Sequence, residues 1–196
     1  MLFDPMPFAT YQFVMSITPG PNNVMLTASG AHFGFRRTLP HMFGIATGCA
    51  IQLIAVCAGL GTLFHQWPVL QTILQWVGAL YLLWLGWKLL GSGEIREAQA
   101  VRPIGFWHAA AFQFINPKAW VMTLTGVSLF LPAGMNVWAA GSYLVALMVV
   151  INLPCIAIWA LFGSSLRNWL TRPARRIGFN VAMALALAVT GVIMVM

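Results

Sequence analysis

Six long apolar runs govern what this chain can fold into. They cover roughly residues 6–31, 39–63, 68–90, 106–131, 138–163 and 177–196, and the gaps between them hold most of the charge and the turn-forming residues. A helix needs about 20 mostly apolar residues to cross the hydrocarbon of a bilayer. Charged residues make up only 7% of the 196-residue chain and hydrophobic residues 60%, against about 25% charged in a typical soluble domain. A soluble chain of this size cannot hide so much apolar surface, so lipid is its solvent. The expected fold is an all-α integral membrane protein: six transmembrane helices in a single domain over residues 1–196.

The formal net charge of +7 raises the question of nucleic acid. The basic residues are sparse, however, and form no amphipathic face with stacking aromatics, so no nucleic-acid partner is expected. Topology accounts for them. Arg36 and Arg37 occupy the first gap; Lys88, Arg96 and Arg102 surround the third; Arg167, Arg172, Arg175 and Arg176 fill the fifth. The second and fourth gaps, HQWP and LPAGMN, have none. Lysine and arginine mark cytoplasmic loops, which places both termini outside. Trp67 and Trp138 fall at outer ends of runs, and Trp87, Trp107 and Trp169 at inner ends, as in an interfacial aromatic belt. The opening MLFDPMPFATYQF carries Asp4 where a secretory leader would be basic, so no cleavable leader is expected and Met1 reads as the start. Cys49, Cys57 and Cys155 lie inside apolar runs with no CxxC pair and no histidine at ligand spacing. They read as reduced, buried thiols, and no metal or other cofactor is implied.

Two stretches break the apolar pattern. The first is TPGPNN, Thr18 to Asn23, in the middle of the first run. Pro19 and Pro21 donate no backbone hydrogen bond, so the carbonyls of Met15 and Ile17 lose their usual partners, and Gly20 supplies a permissive backbone between them. One half-helix should end near Thr18 and another should begin with Pro21 in its first turn. That leaves the amides of Asn22, Asn23 and Val24 unpaired at a positive helix end, a ready site for a carboxylate. The second is INPKAW in the fourth run, where Asn116 is placed to cap, Pro117 to open a helix and Lys118 to sit near the middle of the membrane. Broken helix is tolerated in lipid only where it is buried or lines a cavity. Spans one and four run in opposite directions, so matching breaks predict two inverted three-helix repeats, about 6–90 and 106–196, with a site between them. Asn152 and Pro154, in VVINLPC, sit at mid-depth of the fifth run.

These residues carry a family resemblance. TPGPNN, the GFR that follows it, GALYLLWLGWKLL in the third run and NPKAW in the fourth resemble the LysE-type (RhtB-like) amino-acid exporter family. The doubled asparagine with GFRR, together with INLPCIAIW, is most similar to its cysteine and O-acetylserine exporter branch. The resemblance covers essentially the whole chain. It implies export of small amino acids or their derivatives from the bacterial cytoplasm through the inner membrane. The expected mechanism is secondary-active export by alternating access; a passive amino-acid or small-solute channel using the same broken helices is the alternative.

Nine residues are the substrate-binding candidates: Pro19, Gly20, Pro21, Asn22, Asn23, Asn116, Pro117, Lys118 and Asn152. For the first five the plain alternative is a proline kink, which needs one proline rather than two followed by two asparagines. For Lys118 it is snorkelling, for which the side chain is too short from mid-depth. Lys118 could bind a substrate carboxylate or change its charge during the cycle. Gln12, Ser16, Thr18 and Gln113 could line the same cavity or make ordinary interhelical hydrogen bonds. His32, His41 and His108 lie near inner ends of runs and His65 in an outer loop; they read as interfacial residues, with proton coupling as a second use. No Asp or Glu lies at membrane depth: Asp4 is at the outer edge, and Glu94 and Glu97 are in the inner loop. A buried carboxylate relay therefore has no carrier unless Asp4 folds inward, and a neutral zwitterion suits the site better than a dibasic amino acid. Arg36 and Arg37 read as topology signals. GIATG, with Gly44 and Gly48, serves either internal packing or a homodimer contact. Without HExxH, GxSxG or clustered carboxylates, an intramembrane enzyme is not expected.

Overall fold

A computed structural model of the chain describes residues 4–91, 103–132 and 135–196, and all of their regular structure is helical. In chain order the α-helices are α1 (Met6–Ile17), α2 (Pro21–Phe33), α3 (Phe35–Ala55), α4 (Gly61–Gln66), α5 (Pro68–Gly91), α6 (Phe106–Gln113), α7 (Pro117–Phe130), α8 (Val137–Ser165) and α9 (Pro173–Val195). A π-helical turn, Val56–Leu60, joins α3 to α4 and is kinked at Gly59, where φ is +101°. A short 3-10 turn, Trp169–Thr171, precedes α9.

Four helical segments are individually long and apolar enough to cross a membrane: Phe35–Leu60, Pro68–Leu90, Val137–Ser165 and Pro173–Val195. The shortest have 23 residues, about 35 Å at the 1.5 Å rise of an α-helix. They coincide with the second, third, fifth and sixth runs. The first and fourth runs are each divided into two half-helices, as their prolines predict. The HQWP gap is shorter than expected, because α4 continues to Gln66. His65 is therefore helical, and its side chain lies outside the described ones. The expectations for Glu94, Glu97, Arg96 and Arg102 also fall outside the described residues.

Polarity is arranged inside out. Gln12, Ser16, Asn23, Gln52, Gln113, Asn116 and Asn152 are buried, while Leu80 and Trp84 of α5, Val150 and Ile158 of α8, and Leu185 and Val189 of α9 are exposed. An apolar exterior around a partly polar core is what lipid selects. The belt tryptophans Trp67, Trp87, Trp107, Trp138 and Trp169 are all exposed. Lys88 lies over the Trp84 ring at 3.8 Å, and Arg175 faces Trp169 at 5.1 Å, cation–π pairs suited to an interface.

The main packing pairs are α5 with α9, α2 with α8, α3 with α6, and α3 with α8. Gly44 and Gly48 are spent inside the fold. A Cβ at Gly44 would strike the Phe106 carbonyl, and one at Gly48 would come within 2.6 Å of the Ala110 carbonyl oxygen. Of the two uses expected for GIATG, this is internal packing of α3 on α6. The core between helices centres on Phe8, Leu26, Ile45, Leu53, Leu144, Met148 and Ile156.

Candidate functional site

The first break is held by side chains rather than left open. At the end of α1 the Thr18 hydroxyl donates back to Val14 O at 2.9 Å and Met15 O at 3.3 Å. Asn23 Nδ2 donates to Ser16 O at 2.9 Å and Thr18 O at 2.8 Å. The indole of Trp159 on α8 donates to Ile17 O at 3.1 Å. The carbonyls freed by Pro19 and Pro21 are thus satisfied by groups that a lipid-exposed helix would not have. On the other side of the break, α2 begins at Pro21 with Gly20 as its N-cap residue and no side-chain cap. One expectation needs correction. The Val24 amide is not free; it donates to Gly20 O at 3.0 Å, because the extended Gly20 still offers the first carbonyl of the helix. The uncapped end therefore consists of the Asn22 and Asn23 amides.

The second break is a capped helix start. Asn116 Oδ1 accepts from the Lys118 backbone N–H at 3.1 Å, and Pro117 opens α7. The preceding turn is closed by Asn116 N–H to Gln113 O at 3.1 Å.

The two breaks, about a hundred residues apart in sequence, meet in space. The Lys118 ammonium donates to Thr18 O at 3.0 Å, Thr18 Oγ1 at 2.9 Å and Pro19 O at 3.2 Å. It caps the carbonyl end of α1, where the helix dipole favours a cation. Its stem lies across Gly20: a Cβ there would sit 2.8 Å from Lys118 Cδ. This capping role was not among those expected for Lys118. Beside it, Asn22 and Gln113 form a reciprocal amide pair, with Nδ2 to Oε1 at 2.9 Å and Nε2 to Oδ1 at 3.1 Å. Gln113 also accepts from Asn116 Nδ2 at 3.2 Å, and its backbone carbonyl accepts from Gln52 Nε2 at 2.8 Å. Sequence reasoning placed Gln113 only among the residues sharing a cavity or a hydrogen bond. Its spacing of three before the helix cap Asn116, one turn of helix, was the available signal.

Between the breaks is a cleft of about 30 Å³. Seven of the nine candidate residues line it: Gly20, Pro21, Asn22, Asn23, Asn116, Lys118 and Asn152. Ser16, Met15, Cys49, Met122 and Ile156 complete much of the wall. Pro19 contributes only its carbonyl to Lys118. Pro117 faces away, toward Phe64, Trp120 and Leu124. Among the described residues, none of those lining the cleft is acidic. Asp4 does not fold inward; its carboxylate accepts from the Met6 N–H at 3.0 Å at the start of α1. His32 pairs with Asn180 at 2.9 Å and His108 is exposed, whereas His41 is fully buried with neither ring nitrogen hydrogen-bonded. None of these three histidines lines the cleft.

Long apolar helices around a polar, acid-free cleft, with half-helix ends pointing into it, define a multi-pass membrane protein that handles a small polar solute. The comparisons agree. The chain belongs to the LysE type translocator family, whose model matches residues 13–196. It is therefore a transporter and not an enzyme. It is 33% identical, over 92% of its length and 91% of theirs, to the cysteine/O-acetylserine efflux proteins of Salmonella typhi and Escherichia coli (strain K12). No solved structure matches it.

Proposed function

We propose that this chain is a secondary-active exporter, carrying small neutral amino acids or their derivatives out of the cytoplasm across the bacterial inner membrane by alternating access. The observation that carries this reading is the meeting of the two breaks, with Lys118 of α7 bound to the end of α1. The relatives named for cysteine and O-acetylserine efflux support a small α-amino acid without net side-chain charge. The acid-free cleft supports the same class, since a dibasic substrate would leave its second charge uncompensated.

In this reading α1 with α2, and α6 with α7, each make one broken span. Six spans then form two inverted three-helix repeats, residues 6–90 and 106–196, with both termini outside. The packing supports it in part, since α2 packs on α3 while its counterpart, α7 on α8, is not among the main contacts. Exchanging spans one and four, two and five, and three and six turns α2 on α8 into α7 on α3, and α1 on α8 into α6 on α3. The same exchange returns α5 on α9 and α3 on α8 to themselves, and all of these pairs are in contact. Pro19, Gly20 and Pro21 make the first break, Asn116 and Pro117 the second, and Asn22, Asn23, Lys118 and Asn152 bear on the substrate. The substrate carboxylate goes to Lys118 and to the uncapped amides of α2. A cavity of 30 Å³ holds about two waters, far less than any amino acid, so the cleft must widen to admit one. Opening it requires Lys118 to leave Thr18 and Pro19, and a carboxylate that attracts the ammonium favours that step.

The test loads cells with dipeptides and follows amino acids in the medium, with wild type and Lys118→Met at matched membrane abundance. Neutral amino acids should leave against their gradient with wild type, and at least about tenfold more slowly with the variant, the loss of one charge-assisted contact. Efflux that stops at the electrochemical equilibrium would identify a passive channel. A full panel with no accelerated efflux would overturn amino-acid export altogether.

A further inference from the structure

We propose that the side-chain oxygens of Asn23 and Asn152 form a subsite for the substrate's α-ammonium group, so that a free primary amine is obligatory for binding. The proposal rests on the amino-acid reading above and extends it to one end of the ligand. Both asparagines line the cleft and are only 4% exposed. In both, Oδ1 is buried with no hydrogen-bond partner, an expensive condition in a membrane protein unless a donor arrives.

The orientation of the Asn23 amide follows from its partners. Asn23 Nδ2 donates to two carbonyls, Ser16 O at 2.9 Å and Thr18 O at 2.8 Å. Both of its N–H groups are committed, and its oxygen cannot exchange places with the nitrogen. Asn152 Nδ2 donates to Ser16 Oγ at 3.0 Å, and Gln12 Nε2 donates to the same oxygen at 3.0 Å. The two asparagines are thus anchored on one residue, Ser16, one through its backbone and one through its side chain. They sit near the midpoints of the first broken run and of α8, the depth at which a carrier holds its cargo.

What these oxygens bind must donate hydrogen bonds. A primary ammonium does so best, since it has three donors and no acceptor. In the same region Thr18 O, Thr18 Oγ1 and Pro19 O already hold a primary ammonium, that of Lys118. The negative end of the α1 dipole lies there and strengthens the bias toward a cation. With the ammonium at Asn23 and Asn152, the carboxylate falls to Lys118 and the start of α2, so the cleft reads both ends of a zwitterion.

The discriminating probe is a pair of isomers, O-acetyl-L-serine with a free ammonium and N-acetyl-L-serine without one. Binding to the purified full chain in detergent is read as ligand-dependent thermal stabilisation, with L-cysteine and L-serine as further amines. Wild type should bind O-acetyl-L-serine at least about tenfold more tightly than N-acetyl-L-serine. Asn152→Leu, which removes the acceptor at similar size, should reduce that preference about tenfold while eluting as the wild type does. Asn152→Asp keeps the acceptors and should keep the preference, which separates hydrogen bonding from shape. Equal binding of the two isomers by wild type, or an undiminished preference in Asn152→Leu, would overturn the subsite while leaving export standing. If none of the three amines binds wild type and none is exported, the export reading falls and the subsite with it.

Discussion

Gln113 ties the two halves of the site together, and its removal makes a quantitative test. Its side chain is fully buried and exchanges two hydrogen bonds with Asn22, takes one from Asn116 and gives one to Ala109 O. Gln113→Leu keeps the size and deletes these four, together with the 3.7 Å contact from the Cys49 thiol to Oε1. Side-chain hydrogen bonds inside membrane proteins average about 0.6 kcal/mol and reach about 1.7. The expected loss is therefore about 2 to 3 kcal/mol, because the Asn22 amide is stranded as well as the bond lost. For a chain of this length that corresponds to a fall in Tm of about 4 to 12 °C, measurable as the temperature at which the folded peak disappears from gel filtration in detergent. The decisive measurement is a cycle with Asn22→Leu. If the pair exists, the double variant is more stable than the sum of the two single losses predicts, by about 1 kcal/mol, since neither amide then lacks a partner. Strict additivity would refute the pairing of the two breaks, and an unchanged Tm in Gln113→Leu would refute its role as a hub.

Two further perturbations probe the close approaches. Gly48→Leu pushes a side chain into the Ala110 carbonyl, 2.6 Å from the first added atom, and should lower the yield of folded protein and cost about 1–3 kcal/mol or more; a stable protein that has merely lost a dimer would contradict internal packing. Gly20→Ala places a methyl 2.8 Å from Lys118 Cδ, a side chain that can swing aside. Thermal stability should change little while export falls severalfold, and unaltered export would show that Lys118 does not need its place over Gly20.

Much of this protein was decided by its sequence alone. Hydropathy and the absence of charge specify helices in lipid, because unsatisfied backbone groups are intolerable there and only local, helical pairing removes them. The two breaks were legible for an equally local reason: Pro19, Pro21 and Pro117 lack the N–H that continuous helix requires, and Asn116 is a cap one residue before a proline. The residue types that gather at the cleft could be read from the same stretches. What each one does there could not. Lys118 closes on Thr18 across 100 positions, Gln113 pairs with Asn22 across 91, and Trp159 reaches Ile17 across 142. No local preference encodes such partners. A polar group in a dry core takes whichever complement the packing of helices brings within 3 Å, so the tertiary structure alone determined that Lys118 caps α1, that Val24 is paired, and that the side-chain oxygens of Asn23 and Asn152 are buried without a partner.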